Sequence, residues 1–291
     1  WDVESLMFNS LLLDDVYKHQ VDLIWSYYIL DFAVHNNTVP TVLYLLGYPR
    51  YVSDYRDALL AQYDHIVAIS TNVINKWNGL IEYKIERFSI LHQGIRMTET
   101  PRRLKEFNEE TFNIVFAGRF IQRKGIVTLL QSLRLLVTEG NDTVRIYLLG
   151  GTLSGDLKKY IEENKLSSYI VVKDFVNNPQ DYFFSADVCV FPSIAGEGLM
   201  SVVLEAMYYN GLVITTLHNG NEEVIKDGIN GYLIEPTSPE VLKDKIVEIM
   251  STQKTKNIEQ EAQETIKDNF TWSKHSEQFM SIIREVLASS K

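Results

Sequence analysis

Twice along this chain, short runs rich in Val, Ile, Leu and Tyr alternate with longer segments of helical period, and one polar stretch separates the two series. That pattern predicts an α/β protein built of open, mostly parallel sheets with helices on both faces. In the first series strands are expected over residues 21–25, 41–46, 65–69 and 88–91, with helices over 6–17 and 51–62. In the second, strands fall over 113–117, 144–149, 170–173, 188–191, 213–216 and 231–234. The helices of that series fall over 126–138, 155–163, 180–185, 202–209, 222–226 and 239–250. Residues 97–111 (MTETPRRLKEFNEET) are polar and contain a proline, and nothing in them reads as core, so they form the expected interdomain linker. The expected division is an N-terminal Rossmann-like domain with its linker over 1–111, a C-terminal Rossmann-like domain over 112–270 and a terminal helix over 271–291.

A length of 291 residues accommodates two such domains, and 45% hydrophobic with 23% charged residues describes a globular protein rather than a disordered or fibrous one. Lys and Arg number 28 against 38 Asp and Glu, a net charge of -10, which sets nucleic acid aside as a main ligand. The single cysteine, Cys189, sits in the apolar run VCVF, where it reads as a small buried hydrophobe; it can form no internal disulfide, and a reducing, cytoplasmic compartment fits. No run reaches the ~18 apolar residues of a membrane span. The chain opens on Trp1 and not on methionine, and the first one or two strands of a full N-terminal domain are expected to precede it.

In parallel sheets ligands sit beyond the carboxyl ends of the strands, so the loops after strands are the places to seek chemistry. After the strand at 113–117 comes GRFIQRKG, in which Arg119 and Lys124 bracket a turn that opens into a helix. Free N–H groups and the macrodipole at a helix start already favour negative charge, Arg can grip two phosphate oxygens in a fork, and Lys adds a mobile point charge. In outline this is a diphosphate clamp; two solvated cations at a βα turn are the alternative. No G-K-[ST] follows, so it is not a P-loop.

After the strand at 188–191, Glu197 lies in a glycine-flanked loop and Glu205 in the helix beyond it, with seven residues between them. The amides of Met200, Ser201 and Val202 between them form a second donor nest. Carboxylates there suit a polyol, because each can accept hydrogen bonds from adjacent hydroxyls of a ribose or hexose. A helix-capping acid and an exposed helix residue are the plainer reading of the two. A glycosidase pair is disfavoured by the Arg/Lys loop, since a plain glycoside has no phosphate to hold. The glycines Gly150, Gly151 and Gly155 miss the dinucleotide spacing and read as a tight βα turn, which argues against NAD. His35, His65, His92 and His218 lack metal-ligand spacing, and no metal site is expected. Trp25, Tyr27, Tyr28 and Phe32 read as core of the first domain, with a ring lining the acceptor cleft as the alternative.

Taken in order, GRFIQRKG, LLGG, FPSIAGEGLMSVVLEAM, HNGNEEVIKDGINGYLIEP and NFTWSKHSEQF resemble the retaining GT-B glycosyltransferases of glycosyltransferase family 4, through essentially all of residues 112–291. The resemblance implies a GT-B fold, two Rossmann-like domains facing across a cleft, with the N-terminal domain incomplete and the terminal helix crossing back to it. It implies that Arg119 and Lys124 hold the donor diphosphate and stabilise the leaving nucleotide, that Glu197 contacts hydroxyls of the transferred sugar, and that Glu205 binds the ribose. Backbone at Phe175 and Val176 would edge the base, and Gly118, Gly198, Leu199, Met200, Ser201 and Val202 would touch phosphate or sugar. Gly220 and Glu223 would lie near the cleft. The donor would be a nucleotide-diphosphate sugar and the acceptor a sugar, a lipid-linked molecule or a protein, with no cofactor and no metal. The setting would be the cytoplasm or the cytoplasmic face of a membrane.

Two departures accompany the likeness. The loop reads Glu197-Gly198-Leu199-Met200 where relatives often have Glu-Gly-Phe-Gly, and Leu46 occupies a position at which relatives commonly carry a histidine facing the donor sugar. An inactive nucleotide-sugar-binding scaffold, or another GT-B enzyme such as a nucleotide-sugar epimerase, is therefore carried as the alternative.

Overall fold

The computed structural model describes residues 12, 15–16, 18–27, 29, 39–48, 54–97, 100–196, 198–209, 211–218, 220–252 and 255–289. Two compact units account for the chain: Trp1–Gly94 with Glu197–Leu199 and Trp272–Lys291, and Ile95–Gly196 with Met200–Thr271.

The first unit contains β1 (Ile24–Ser26), β2 (Thr41–Leu45), α1 (Asp54–Leu60), β3 (His65–Ala68), α2 (Thr71–Asn78) and β4 (Phe88–Ile90). Its strands pair in parallel in the order β1-β2-β3-β4, with Val42 opposite His65 and Ile66 opposite Phe88. All five residues of β2 are buried, the signature of a central parallel strand covered on both faces, and this is why its sequence shows no alternation. Each strand falls where the apolar runs place it, to within a few residues. The helix expected over 6–17 lies almost wholly outside the described residues.

The second unit contains β5 (Phe112–Ala117), α3 (Ile126–Thr138), β6 (Val144–Leu149), α4 (Gly155–Glu163), β7 (Ile170–Lys173), α5 (Pro179–Ser185), β8 (Val188–Phe191), α6 (Ser201–Tyr208), β9 (Val213–Thr216), β10 (Tyr232–Ile234), α7 (Pro239–Ser251) and α8 (Thr255–Asn269). Six parallel strands form one sheet in the order β10-β9-β8-β5-β6-β7. Helix α3 buries Ile126, Leu129, Leu130, Leu133 and Leu136, a stripe at helical spacing, and packs against α7, which contributes Leu242, Ile246 and Ile249 to the same core. Cys189 is fully buried in β8, as its apolar neighbours suggest, and burial pushes its thiol pKa up.

Two expectations are corrected, and one helix is new. Residues 97–111 do contribute to a core: Phe107 is buried and stacks on Tyr147 at 4.0 Å, and Tyr147 donates its hydroxyl hydrogen to the Glu106 carbonyl at 2.7 Å. The amides of Arg102 and Leu104 are tied to Asp181 and Ser185 of α5, both at 2.8 Å, so this stretch straps onto the second unit, whose contacts begin at Ile95. The short helix over 222–226 is instead a single 3-10 turn, Asn221–Glu223, because Gly220 enters it with φ of 72° and Asn221 is committed to the buried backbone below it. Helix α8 was not anticipated. Of its 15 residues only Ala262 and Ile266 are buried, a stripe too narrow to register against a polar sequence.

The last helix, α9 (Trp272–Ser289), belongs to the first unit. Phe279 meets the Trp25 ring edge-on at 4.7 Å, and His275 donates from Nδ1 to the His92 carbonyl at 2.7 Å. Trp25 also packs edge-on against Tyr44, whereas Tyr27 is exposed; Tyr28 and Phe32 lie outside the described residues.

Candidate functional site

The order of the six-stranded sheet selects a place for a ligand before any side chain is considered. From β5 the chain proceeds outward through β6 to β7, then returns to β8 on the other flank of β5 and proceeds outward through β9 to β10. The direction of winding reverses between β5 and β8, and at such a switch point the loops leaving the two strands diverge and open a crevice beyond the carboxyl ends. The loop after β5 carries Arg119 and Lys124; the segment after β8 carries Glu197 and Glu205.

The β5 loop is shaped by glycine. Gly118 has φ of 148° and donates its N–H to the Leu149 carbonyl at 2.9 Å, while a Cβ on Gly150, itself at φ of 114°, would lie 3.0 Å from the Gly118 oxygen. The β5 and β6 loops thus nest backbone to backbone at Gly150, while Gly151, at φ of 151°, lies beside the Phe120 ring. Arg119 is exposed, and Lys124 is half-buried in a 3-10 turn, Gln122–Lys124. Gly125 then turns left-handed at φ of 76° and starts α3. A Cβ there would lie 1.8 Å from the Pro192 carbonyl oxygen, so only glycine lets this loop lie against the one after β8.

Further bonds join the two loops. The Arg123 carbonyl accepts from both Ser193 Oγ and the Ile194 amide at 2.9 Å, and the Arg123 side chain lies along Gly196. From below, Thr216 Oγ1 donates to the Ser193 carbonyl at 2.6 Å and Thr215 Oγ1 to the Phe191 carbonyl at 2.9 Å. Asn221, wholly buried, donates to Thr215 Oγ1 and to the Thr216 carbonyl.

At their starts α3 and α6 share a feature. Gly125 and Met200 make no side-chain capping bond, nor does Asn178 at α5, whereas Ser70, Ser154 and Ser238 cap α2, α4 and α7 with their hydroxyls. Uncapped first-turn N–H groups and the dipole's positive end make both starts at the switch point suited to an anion. Met200 is buried, and Ser201 and Val202, in the first turn of α6, are half-exposed.

Glu205 stands one turn further into α6, where burial holds its carboxyl above the ordinary carboxylate range. Its side chain has no hydrogen bond or ion pair among the described residues, and such a group gains from any ligand that donates hydrogen bonds to it. Phe175, just beyond β7, is 82% exposed, and Val176 beside it is half-buried. Glu197 lies outside the described residues. Gly198 and Leu199, both buried, group with the first unit: a Cβ on Gly198 would lie 2.4 Å from the Leu46 carbonyl oxygen, and the Gly198 carbonyl accepts from Ser70 Oγ at 3.0 Å. Leu46 itself is half-exposed. His65 bonds Ser89 through Nε2, and burial lowers its pKa. Sequence reasoning did not find Arg123, Ser193, Thr216 or Asn221. The bonds joining Arg123, Ser193 and Thr216 run to main-chain carbonyls 23 to 70 residues away, and Asn221 braces the nearby Thr215 and Thr216; the one local signal is a pair of threonines closing a strand.

The sequence profile of the family described as "Glycosyl transferases group 1" matches residues 97–266. Among curated proteins the chain is 24% identical over 238 residues to an uncharacterized glycosyltransferase of Methanocaldococcus jannaschii, covering 77% of this chain and 59% of that protein. It is 30% identical over 159 residues to the capsular polysaccharide biosynthesis glycosyltransferase CapH of Staphylococcus aureus, covering 53% of this chain and 43% of that protein. The chain thus spans about half the length of the curated relatives it matches. The crystal structure of Anabaena HepE in complex with UDP superposes with a TM-score of 0.82 at 19% identity, covering 95% of this chain and 82% of that one, a likeness of fold.

Proposed function

The chain belongs to the group 1 glycosyltransferases, and from that premise we propose that it transfers a sugar from a nucleotide-diphosphate sugar to an acceptor hydroxyl, with retention of anomeric configuration and no bound metal. The observation that carries this reading is the meeting of a two-cation loop and a carboxylate-bearing helix at the switch point of one parallel sheet. Arg119 and Lys124 bind the diphosphate, Glu205 accepts from the ribose hydroxyls, the backbone at Phe175 and Val176 edges the base, and Glu197 contacts the transferred sugar. Gly118, Gly198, Leu199 and the amides of Met200, Ser201 and Val202 contact phosphate or sugar. As the bond from the anomeric carbon to the phosphate oxygen breaks, its electron pair stays with the diphosphate. Cations and uncapped helix starts already aimed there stabilise that charge more in the transition state than in the bound donor, which is what lowers the barrier.

The pathway is polysaccharide, glycan or glycolipid synthesis, in keeping with the printed role of CapH, and UDP is the first nucleotide to try, since HepE is described with UDP and UDP-glucose. The acceptor is a sugar, lipid-linked or protein hydroxyl, and the setting is the cytoplasm or its membrane face. Among the described residues no helix is long and apolar enough to cross a membrane. The test is nucleotide release from UDP-, GDP- and ADP-sugars. Release from one of them, accelerated by an acceptor, is expected; tight binding of a nucleotide with no release under any acceptor points to the inactive scaffold instead.

Glu205 gives this reading a pH signature. The buried carboxyl is neutral at a pH where an exposed one is already charged, and ribose donors favour the charged form. Nucleotide affinity should therefore rise as pH climbs from the ordinary carboxylate pKa through the raised one, then level off. Without ligand the linkage runs the other way: the unfolded chain ionises first, so Glu205 lowers stability as pH rises through that window. Glu205→Gln should weaken nucleotide binding, flatten its pH profile and raise the ligand-free melting point at neutral pH, measured by calorimetric titration and thermal unfolding.

A further inference from the structure

The loops at the switch point are joined at Ser193. Its backbone N–H donates to the Phe191 carbonyl at 2.9 Å and its hydroxyl to the Arg123 carbonyl at 2.9 Å, while its own carbonyl accepts from Thr216 Oγ1 at 2.6 Å. Ser193 is 1% exposed and Thr216 fully buried. One buried residue thus ties the cation loop, the end of β8 and the end of β9 together, and the backbone that leaves it runs through Ile194 to Gly196 directly into Glu197. Asn221 completes the arrangement from the 3-10 turn, donating from Nδ2 to Thr215 Oγ1 at 3.1 Å and to the Thr216 carbonyl at 2.9 Å.

The paired register of β8 and β9 ends with Phe191 opposite Thr215, so the bond from Thr216 Oγ1 to the Ser193 carbonyl reaches past the ladder into the loop. What it fixes is the course of a loop. A bond of 2.6 Å between fully buried groups tolerates little displacement before it is lost, and water cannot replace it. A loop carrying reacting groups needs such a fixture, since a misplacement of about 1 Å can cost about 10²-fold in rate.

We propose that Thr216, acting through Ser193 and supported by Asn221, is a positioning residue for the transfer step: it sets the segment leading to Glu197 against the Arg119–Lys124 loop. This rests on the proposed glycosyl transfer. The hydroxyl of Thr216 bonds the Ser193 carbonyl and not Arg119, Lys124 or Glu205, the residues proposed to bind the nucleotide, so its loss should appear in turnover more than in binding.

The test compares Thr216→Val, which keeps shape and loses the hydroxyl, with Thr216→Ser, which keeps the hydroxyl. Hydrogen exchange of the amides over 193–196 is followed in both, together with kcat, KM for the nucleotide sugar and Kd for the free nucleotide. Thr216→Val should speed exchange of those amides and lower kcat by about 10- to 100-fold, with Kd changed less than about threefold; Thr216→Ser should restore both exchange and kcat. Unchanged exchange in Thr216→Val overturns the joint whether or not the protein turns over a nucleotide sugar. Altered exchange with an unchanged kcat in an active protein overturns its part in transfer. Absence of turnover in the parent protein with altered exchange in the valine variant counts against the transferase reading and leaves the joint supported by exchange alone. Equal losses of kcat and affinity in both variants would mark Thr216 as merely structural and overturn the proposal.

Discussion

Replacing Lys124 or Arg119 by alanine is expected to lower kcat by about 10²- to 10³-fold, the loss typical of removing one preorganised group that meets charge developing in a transition state. Ground-state binding of the nucleoside diphosphate should weaken by less, because the bound donor already spreads its charge over several oxygens and the leaving group concentrates it. The double variant should fall short of the product of the single effects, as groups acting on one diphosphate are not independent. Arg119→Lys is not expected to rescue: a lysine restores charge but not the two-pronged grip of a guanidinium on adjacent oxygens. Steady-state kinetics with the accepted nucleotide sugar check each expectation. Retention of parental kcat by both single variants would remove the β5 loop from the chemistry.

A second large effect is expected from one methyl group. Gly125 sits at φ of 76° with the Pro192 carbonyl oxygen 1.8 Å from the place a Cβ would take. Alanine there incurs a left-handed backbone cost of about 1–2 kcal/mol. It also forces the β5 and β8 loops apart, an overpacking cost of about 1–3 kcal/mol. Gly140 provides the control: it too is left-handed, at φ of 89°, but nothing lies within 4 Å of its missing Cβ. Gly140→Ala should therefore show the conformational cost alone, and Gly125→Ala a clearly lower melting point together with loss of nucleotide binding. Equal melting points for the two variants would mean that the loops are not pressed together at Gly125.

Those two glycines mark where the sequence is legible and where it stops. Strand β2 is visible because TVLYL is buried on both faces, and α3 because its leucines recur at helical spacing. Arg119, Lys124 and Glu205 stand out in the sequence because each follows a predicted strand, where a parallel sheet places its ligand, although a βα turn and a helix surface can also carry such charges for structural reasons. The close approach of Gly125 to Pro192 is not legible, since 66 residues intervene and only the order of β5 and β8 in the sheet brings them together. The same holds for Thr216 and Ser193, whose bond joins a side chain to a main-chain oxygen that any residue would offer. Phe107 was missed for a related reason: one aromatic ring in a polar stretch carries no periodicity, yet it finds Tyr147 once the strap lies down on the unit.

The central claim is that the β5 loop recognises a diphosphate, and calorimetric titration tests it without any acceptor. A nucleoside diphosphate, the matching monophosphate and the nucleoside would be titrated into the parent protein and into the Arg119→Ala, Lys124→Ala double variant. The parent should bind the diphosphate at least about tenfold more tightly than the monophosphate, each tenfold being ~1.4 kcal/mol. In the double variant that preference should collapse while the nucleoside binds as before. A double variant that keeps the full preference for the diphosphate would contradict the account.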